Sequence, residues 1–125
     1  MSALKITILG CGSSFGVPLF HNIWGKCDPK EPKNIRSRPS ILVQKNGKNL
    51  LIDSSPDLKQ QFLINKIDNI DAVFYTHEHA DHTHGINELR SINLIHGKII
   101  PCYGNEQTME KITNSFNYLF ENTEK

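Results

Sequence analysis

Four side chains able to hold a metal ion fall within residues 77–82: His77, His79, Asp81 and His82, spaced His-x-His-x-Asp-His. With His84, the same stretch carries four of the chain's six histidines. Imidazole nitrogen suits zinc and other first-row metals, and a carboxylate adds a hard oxygen ligand. A turn just past a strand end can direct His77 and His79 at one ion and Asp81 and His82 at a second. Two cations about 3.5–4 Å apart can hold a hydroxide and clamp both oxygens of a displacement. A lone histidine beside an apolar strand is usually a packed or surface residue. Four metal-competent groups at this spacing, directly after an apolar run, are not explained that way.

The motif needs a strand to deliver it, and residues 70–75 (Ile-Asp-Ala-Val-Phe-Tyr) supply one. Residues 4–9 alternate and are rich in isoleucine, which predicts a first strand. Residues 40–44 and 49–53 form a hairpin across Asn46-Gly47, a strong two-residue turn signal. A short last strand is expected over 98–103. Helices are expected over 56–66, 87–95 and 107–120. Their inner faces are read as Leu58, Phe62 and either Leu63 or Ile64; then Leu89, Ile92 and Ile95; then Met109, Ile112, Phe116, Leu119 and Phe120.

Three connecting stretches could bear on the site. Gly10 to Pro18 holds three glycines and two serines. Its free backbone N–H groups could face an anion, and an ordinary tight turn is an equally good account. Residues 21–38 are polar and aperiodic, with Pro29 and Pro32, and Lys33, Arg36 and Arg38 make them locally basic. Guanidinium groups suit bidentate capture of phosphate, although composition alone favours a solvated loop. Asp53 ends an apolar strand, where a carboxylate is poorly placed for packing. It could accept a hydrogen bond from a ligand histidine and fix that ring, or cap the next helix. Ser55 before Pro56 is the better capping pair.

Composition narrows the classes. The 125 residues allow one small domain, residues 1–125. A formal charge of +1 argues against a specific nucleic-acid or membrane partner. No apolar run approaches the roughly 20 residues that span a bilayer, and the first residues do not read as a signal peptide. Cys11, Cys27 and Cys102 are odd in number and widely spaced. Reduced thiols and a cytoplasmic location are therefore expected.

The His-x-His-x-Asp-His signature resembles that of the metallo-β-lactamase fold superfamily. Further segments resemble its phosphoribosyl cyclic phosphate phosphodiesterase-like branch: Leu9 to Pro18, Asn34 to Val43, Leu51 to Leu58, Gly85 to Arg90 and Ile100 to Gly104. The resemblance spans essentially the whole chain. It implies an α+β fold, an αββα sandwich of which this chain is about one αβ half. It implies metal ligands His77, His79, Asp81 and His82, with catalytic roles for Asp81 and His82, and two divalent ions, zinc or manganese. Asp53 and His84 would support the ligands, and Arg36 and Arg38 would hold substrate phosphate. Some relatives carry a cysteine-rich structural zinc cluster in the insertion. With only Cys27 there, none is expected here.

Superfamily members are about twice this length, and their second half supplies the remaining ligands. A half-sandwich would expose one apolar sheet face. The expectation is therefore a truncated or split gene product, or an assembly in which a second chain covers that face. Two functions follow. One is a metal-dependent hydrolase, foremost a phosphodiesterase of a small substrate using a metal-activated water, or else a glyoxalase II-like thioesterase or a lactamase. The other is a half with weak metal binding and no activity alone.

Overall fold

The structure is a computed structural model that describes residues 3–121. Its frame is a five-stranded mixed sheet in the order β1 (Lys5–Gly10), β2 (Ser40–Lys45), β3 (Lys48–Ile52), β4 (Ala72–Phe74) and β5 (Cys102–Tyr103). The first three strands pair antiparallel, and β3, β4 and β5 pair parallel. The predicted Asn46-Gly47 turn joins β2 to β3, with both residues at positive φ. That is the conformation a two-residue hairpin turn demands.

Strand alternation sorts the side chains into two faces. Leu42, Leu51 and Val73 lie in one cross-strand row and are buried. Helices cover that face: α1 (Leu58–Asn65), α3 (Ile86–His96) and α4 (Glu106–Ser115), with the short α2 (Ala80–Thr83) and α5 (Asn117–Phe120). Leu58, Phe62, Ile86, Leu89, Ile92 and Ile112 complete the core from the helix side. Fully burying a leucine or isoleucine contributes about 1.5–3 kcal/mol, so this one seam holds the sheet to its helices.

Among the described residues no helix covers the other face. Ile6, Val43, Leu50 and Ala72 form one row across it, and Ile8, Ile41, Ile52, Phe74 and Tyr103 form the next. Ile6 is 59% exposed, Ile8 66% and Phe74 43%. The Phe74 and Tyr103 rings stack at 4.9 Å between centroids. One sheet with helices on one side is one αβ layer pair, as the expected half-sandwich requires.

Some helix details differ from the sequence reading. Helix α1 starts at Leu58, and its buried residues are Leu58, Gln61 and Phe62. Leu63 and Ile64 point to solvent because Gln61 takes an inner position, where it bonds Ser37, Ser55 and the Arg38 carbonyl. Ser55 lies in the turn that leads into this helix, and Leu58 N–H donates to its carbonyl at 3.0 Å. Its hydroxyl accepts from the Asp57 N–H and donates to Gln61. On α3 the stripe is Ile86, Leu89 and Ile92, which leaves Ile95 exposed. The last helix breaks at Phe116, whose φ of −123° and ψ of 40° are not helical. Cys102 is half-buried, and burial pushes its thiol up to about 11. Among the described residues no helix is long and apolar enough to cross a membrane.

Candidate metal centre

The strand pair β3–β4 carries the site at its end. Asp53 N–H donates to the Phe74 carbonyl (2.8 Å) and Tyr75 N–H to the Tyr103 carbonyl (2.8 Å), after which the chain leaves the sheet. Tyr75 is buried, and its phenol meets the Ser54 hydroxyl at 2.7 Å. Burial holds that phenol well above the usual range. The turn that follows is tied from several sides. Thr83 Oγ1 donates towards the His79 and Glu78 carbonyls at 3.0 and 3.2 Å. Ser54 N–H donates to the His82 carbonyl (2.8 Å), and Gly85 N–H to the Ser54 carbonyl (3.0 Å). A side chain at Gly85 would run into the Ser55 carbonyl oxygen.

This lacing gathers the imidazoles. The His77 ring lies 4.6 Å from that of His79 and 4.1 Å from that of His82, centroid to centroid. Asp53 sets their hydrogens. Its backbone holds a φ of 63°, a left-handed conformation that short polar residues tolerate. Its buried carboxylate accepts from Thr76 N–H (2.8 Å), Thr76 Oγ1 (2.7 Å) and His82 Nδ1 (2.7 Å). An ionised carboxylate only accepts, so His82 carries a hydrogen on Nδ1, and Nε2 is the ring atom left to act as a ligand. Thr76 spends its hydroxyl hydrogen on Asp53, so its oxygen accepts from His77 Nδ1 at 2.9 Å. Nε2 of His77 is left in the same way. One carboxylate thus fixes two rings, the second through a threonine.

The donor set fits divalent cations. His82 Nε2 faces Asp81 Oδ2 at 3.2 Å, so a nitrogen and a carboxylate oxygen suited to one cation lie side by side. Among the described residues no three His, Cys, Asp or Glu side chains converge on one point. A catalytic zinc takes three protein ligands and a water; among the described residues the His77 ring neighbours those of both His79 and His82.

The other expected site residues are placed as follows. Arg38 forms a fork on Asp57, Nε to Oδ2 at 2.9 Å and Nη2 to Oδ1 at 2.8 Å, and its own N–H adds a third bond to Oδ2. The hydrogen bond to Asp57, with a smaller contribution from Asp81, holds the Arg38 guanidinium above its ordinary range. Chiefly the same hydrogen bond holds the Asp57 carboxyl below its own. Arg36 reaches Cys11 Sγ at 3.5 Å, and its backbone bridges Val17. That bridge and the Gly12 N–H to Ser37 carbonyl bond (2.7 Å) zip the Gly-rich turn to the basic segment. His84 follows the helix α2 that carries Asp81 and His82. Its ring packs edge-on against Phe116 at 5.4 Å, and its Nδ1 meets Thr83. Thr76, Ser54 and Asp57 belong to the site's frame, although the sequence offered only one signal for any of them, the position of Thr76 directly before His77.

Comparison with known proteins agrees with this architecture. A diphosphatase of the PhnP family is 38% identical with a TM-score of 0.84, over 98% of this chain and 49% of that one. Octanoyltransferase of Porphyromonas gingivalis is 36% identical over 118 residues, 94% of this chain and 24% of that protein. Ribonuclease Z of Methanopyrus kandleri is 36% identical over 76 residues, 58% of this chain and 27% of that protein. The chain thus spans about a quarter of these two relatives and just under half of the solved diphosphatase. Residues 48–125 match the family described as the Beta-lactamase superfamily domain, well over half of the chain. On sequence and fold together, the chain belongs to the metallo-β-lactamase fold superfamily of hydrolases.

Proposed function

We propose that this chain is the metal-carrying half of a phosphodiesterase. The observation that carries the reading is the Asp53 relay, which leaves Nε2 of His77 and of His82 to act as ligands beside His79 and Asp81. His77 and His79 would hold one divalent ion, and Asp81 and His82 a second, zinc or manganese. Such ions supply Lewis acidity to an attacking water and to the oxygens of the substrate. The chain's own residues fix geometry and protons: Asp53 and Thr76 orient the rings, and Arg38 presents the hydrogen-bond donors that Asp57 leaves free to a phosphate. The names diphosphatase and ribonuclease among its relatives support phosphorus–oxygen cleavage over thioester cleavage. The open sheet face is the seat of a second chain or segment that completes the ligand set.

A second reading rests on the lack of three converging donors among the described residues: a half that binds metal weakly and is inactive alone. Metal content and hydrolysis of bis-p-nitrophenyl phosphate, measured beside a thioester, separate the two. Two ions per site and phosphodiester turnover in the completed assembly, both abolished by His77→Ala and His79→Ala, support the enzyme. No hydrolysis by the metal-loaded assembly and unchanged metal content in those variants would refute it.

A further inference from the structure

Beside the basic segment lies an open apolar pocket of about 490 Å³, lined by Phe15, Pro18, Leu19, Phe20, His21 and Ile23, with Arg38 as its one permanently charged wall. Two aromatic rings stand almost bare in it: Phe15 is 76% exposed and Phe20 93%. Large exposed rings grouped in a concavity mark a binding surface. The loop bearing them is held in place. Leu19 and Ile23 exchange backbone hydrogen bonds at 2.9 and 3.4 Å, and Val17 and Arg36 do so at 2.9 and 3.0 Å. His21 and Asn22 at the tip adopt left-handed backbone, which fixes a tight reversal.

Arg38 joins this pocket to the metal centre. A guanidinium has five N–H donors, and the Asp57 fork uses only two, Nε and one from Nη2. Three are left on a group whose rotamer Asp57 fixes. Asp57 belongs to the same turn as Asp53 and Ser54, which bond His82 directly. Asp81 in turn contributes to the field at Arg38. Contacts thus run from the apolar pocket through the guanidinium and the carboxylate turn to His82.

We infer that the pocket of Phe15 and Phe20 receives a flat aromatic or heteroaromatic group of the substrate while Arg38 holds the phosphate it carries. The substrate class is therefore an aryl or nucleoside-like phosphoester, not a purely aliphatic one. This rests on the phosphodiesterase reading for its reaction, though not for its binding. The pocket gives stacking surface, the guanidinium gives hydrogen bonds to the anion, and the nearby Asp57 keeps that guanidinium from attracting anions by charge alone. A molecule that carries both a ring and a phosphate then binds better than either group alone.

The test uses the full chain without metal. Trp24 is the only tryptophan and directly follows Ile23 of the pocket wall. Its emission, excited at the red edge, is followed during titration with phenyl phosphate, inorganic phosphate and phenol. Phenyl phosphate is expected to saturate at about tenfold lower concentration than either fragment, the gain of stacking one ring. The double variant Phe15→Ala, Phe20→Ala should weaken phenyl phosphate about tenfold and leave inorganic phosphate unchanged. Both rings are exposed, so alanine leaves the core intact, and circular dichroism checks it. Phenyl phosphate binding no better than inorganic phosphate, or unaltered binding in the double variant, would overturn the inference. The phosphodiesterase reading is judged separately, by metal content and turnover, so either can fail alone.

Discussion

Replacing Asp53 with asparagine changes one atom and should disable two imidazoles. Asp53 accepts three hydrogen bonds, two of them on Oδ2 from Thr76 Oγ1 and His82 Nδ1. An asparagine has one acceptor oxygen. If that oxygen stays on Thr76 N–H, its NH₂ group confronts His82 Nδ1 and the Thr76 hydroxyl. His82 must then shift its hydrogen to Nε2, the atom that faces Asp81. The Thr76 hydroxyl then accepts from the amide, its hydrogen is free to turn towards His77 Nδ1, and the tautomer of that ring is no longer set. Removing a group that orients a ligand histidine typically costs about 10–100-fold in metal affinity, or roughly 1.4–2.8 kcal/mol. Two rings depend on Asp53, so Asp53→Asn should fall near the upper end, about 100-fold weaker in zinc titration calorimetry. The buried site also loses a charge-assisted bond, about 1.5–3 kcal/mol in urea unfolding. Zinc affinity equal to that of the unsubstituted chain would show that the relay does not set the rings, and the reasoning would fail.

Three further outcomes are expected. Leu51→Ala removes a fully buried side chain of the central strand and should cost about 2–5 kcal/mol in urea unfolding; a loss below 1 kcal/mol would contradict the core described. Asp57 titrates below its ordinary range in the folded chain, so the pair with Arg38 adds stability above about pH 4 and loses it as pH falls further, through the folded value. Both side chains are more than a quarter exposed, so Asp57→Asn should cost only about 1 kcal/mol at neutral pH and flatten the acid limb of the unfolding curve. Ile8→Lys places a charge on the open sheet face; light scattering should show less self-association than in the unsubstituted chain, with unchanged circular dichroism.

The parts legible in the sequence were those written in short-range patterns. The alternation in residues 4–9, the Asn46-Gly47 turn and the apolar run before His77 are local signals, and the strands followed them. The cluster was legible because its spacing is confined to one turn. What escaped was long-range pairing. Arg38 and Asp57 are 19 residues apart, and nothing local ties a basic loop residue to a carboxylate at a helix start. Gln61 displaced Leu63 and Ile64 from the core because three polar partners, two of them on a different segment, await its amide. His84 lies just past the cluster and shares its residue type, and its ring packs on Phe116, 32 residues further along. Spacing along the chain said nothing of that contact.

The contact between Gly85 and the Ser55 carbonyl sets limits for anyone redesigning this scaffold. Glycine is the one residue that lets these two backbones touch, and Ser54 fastens the same turn at both its N–H and its carbonyl. A graft that lengthens or shortens 76–85 must break one of those fastenings. New ligand chemistry is better introduced by exchanging residue types within the existing spacing, leaving the backbone path as it stands.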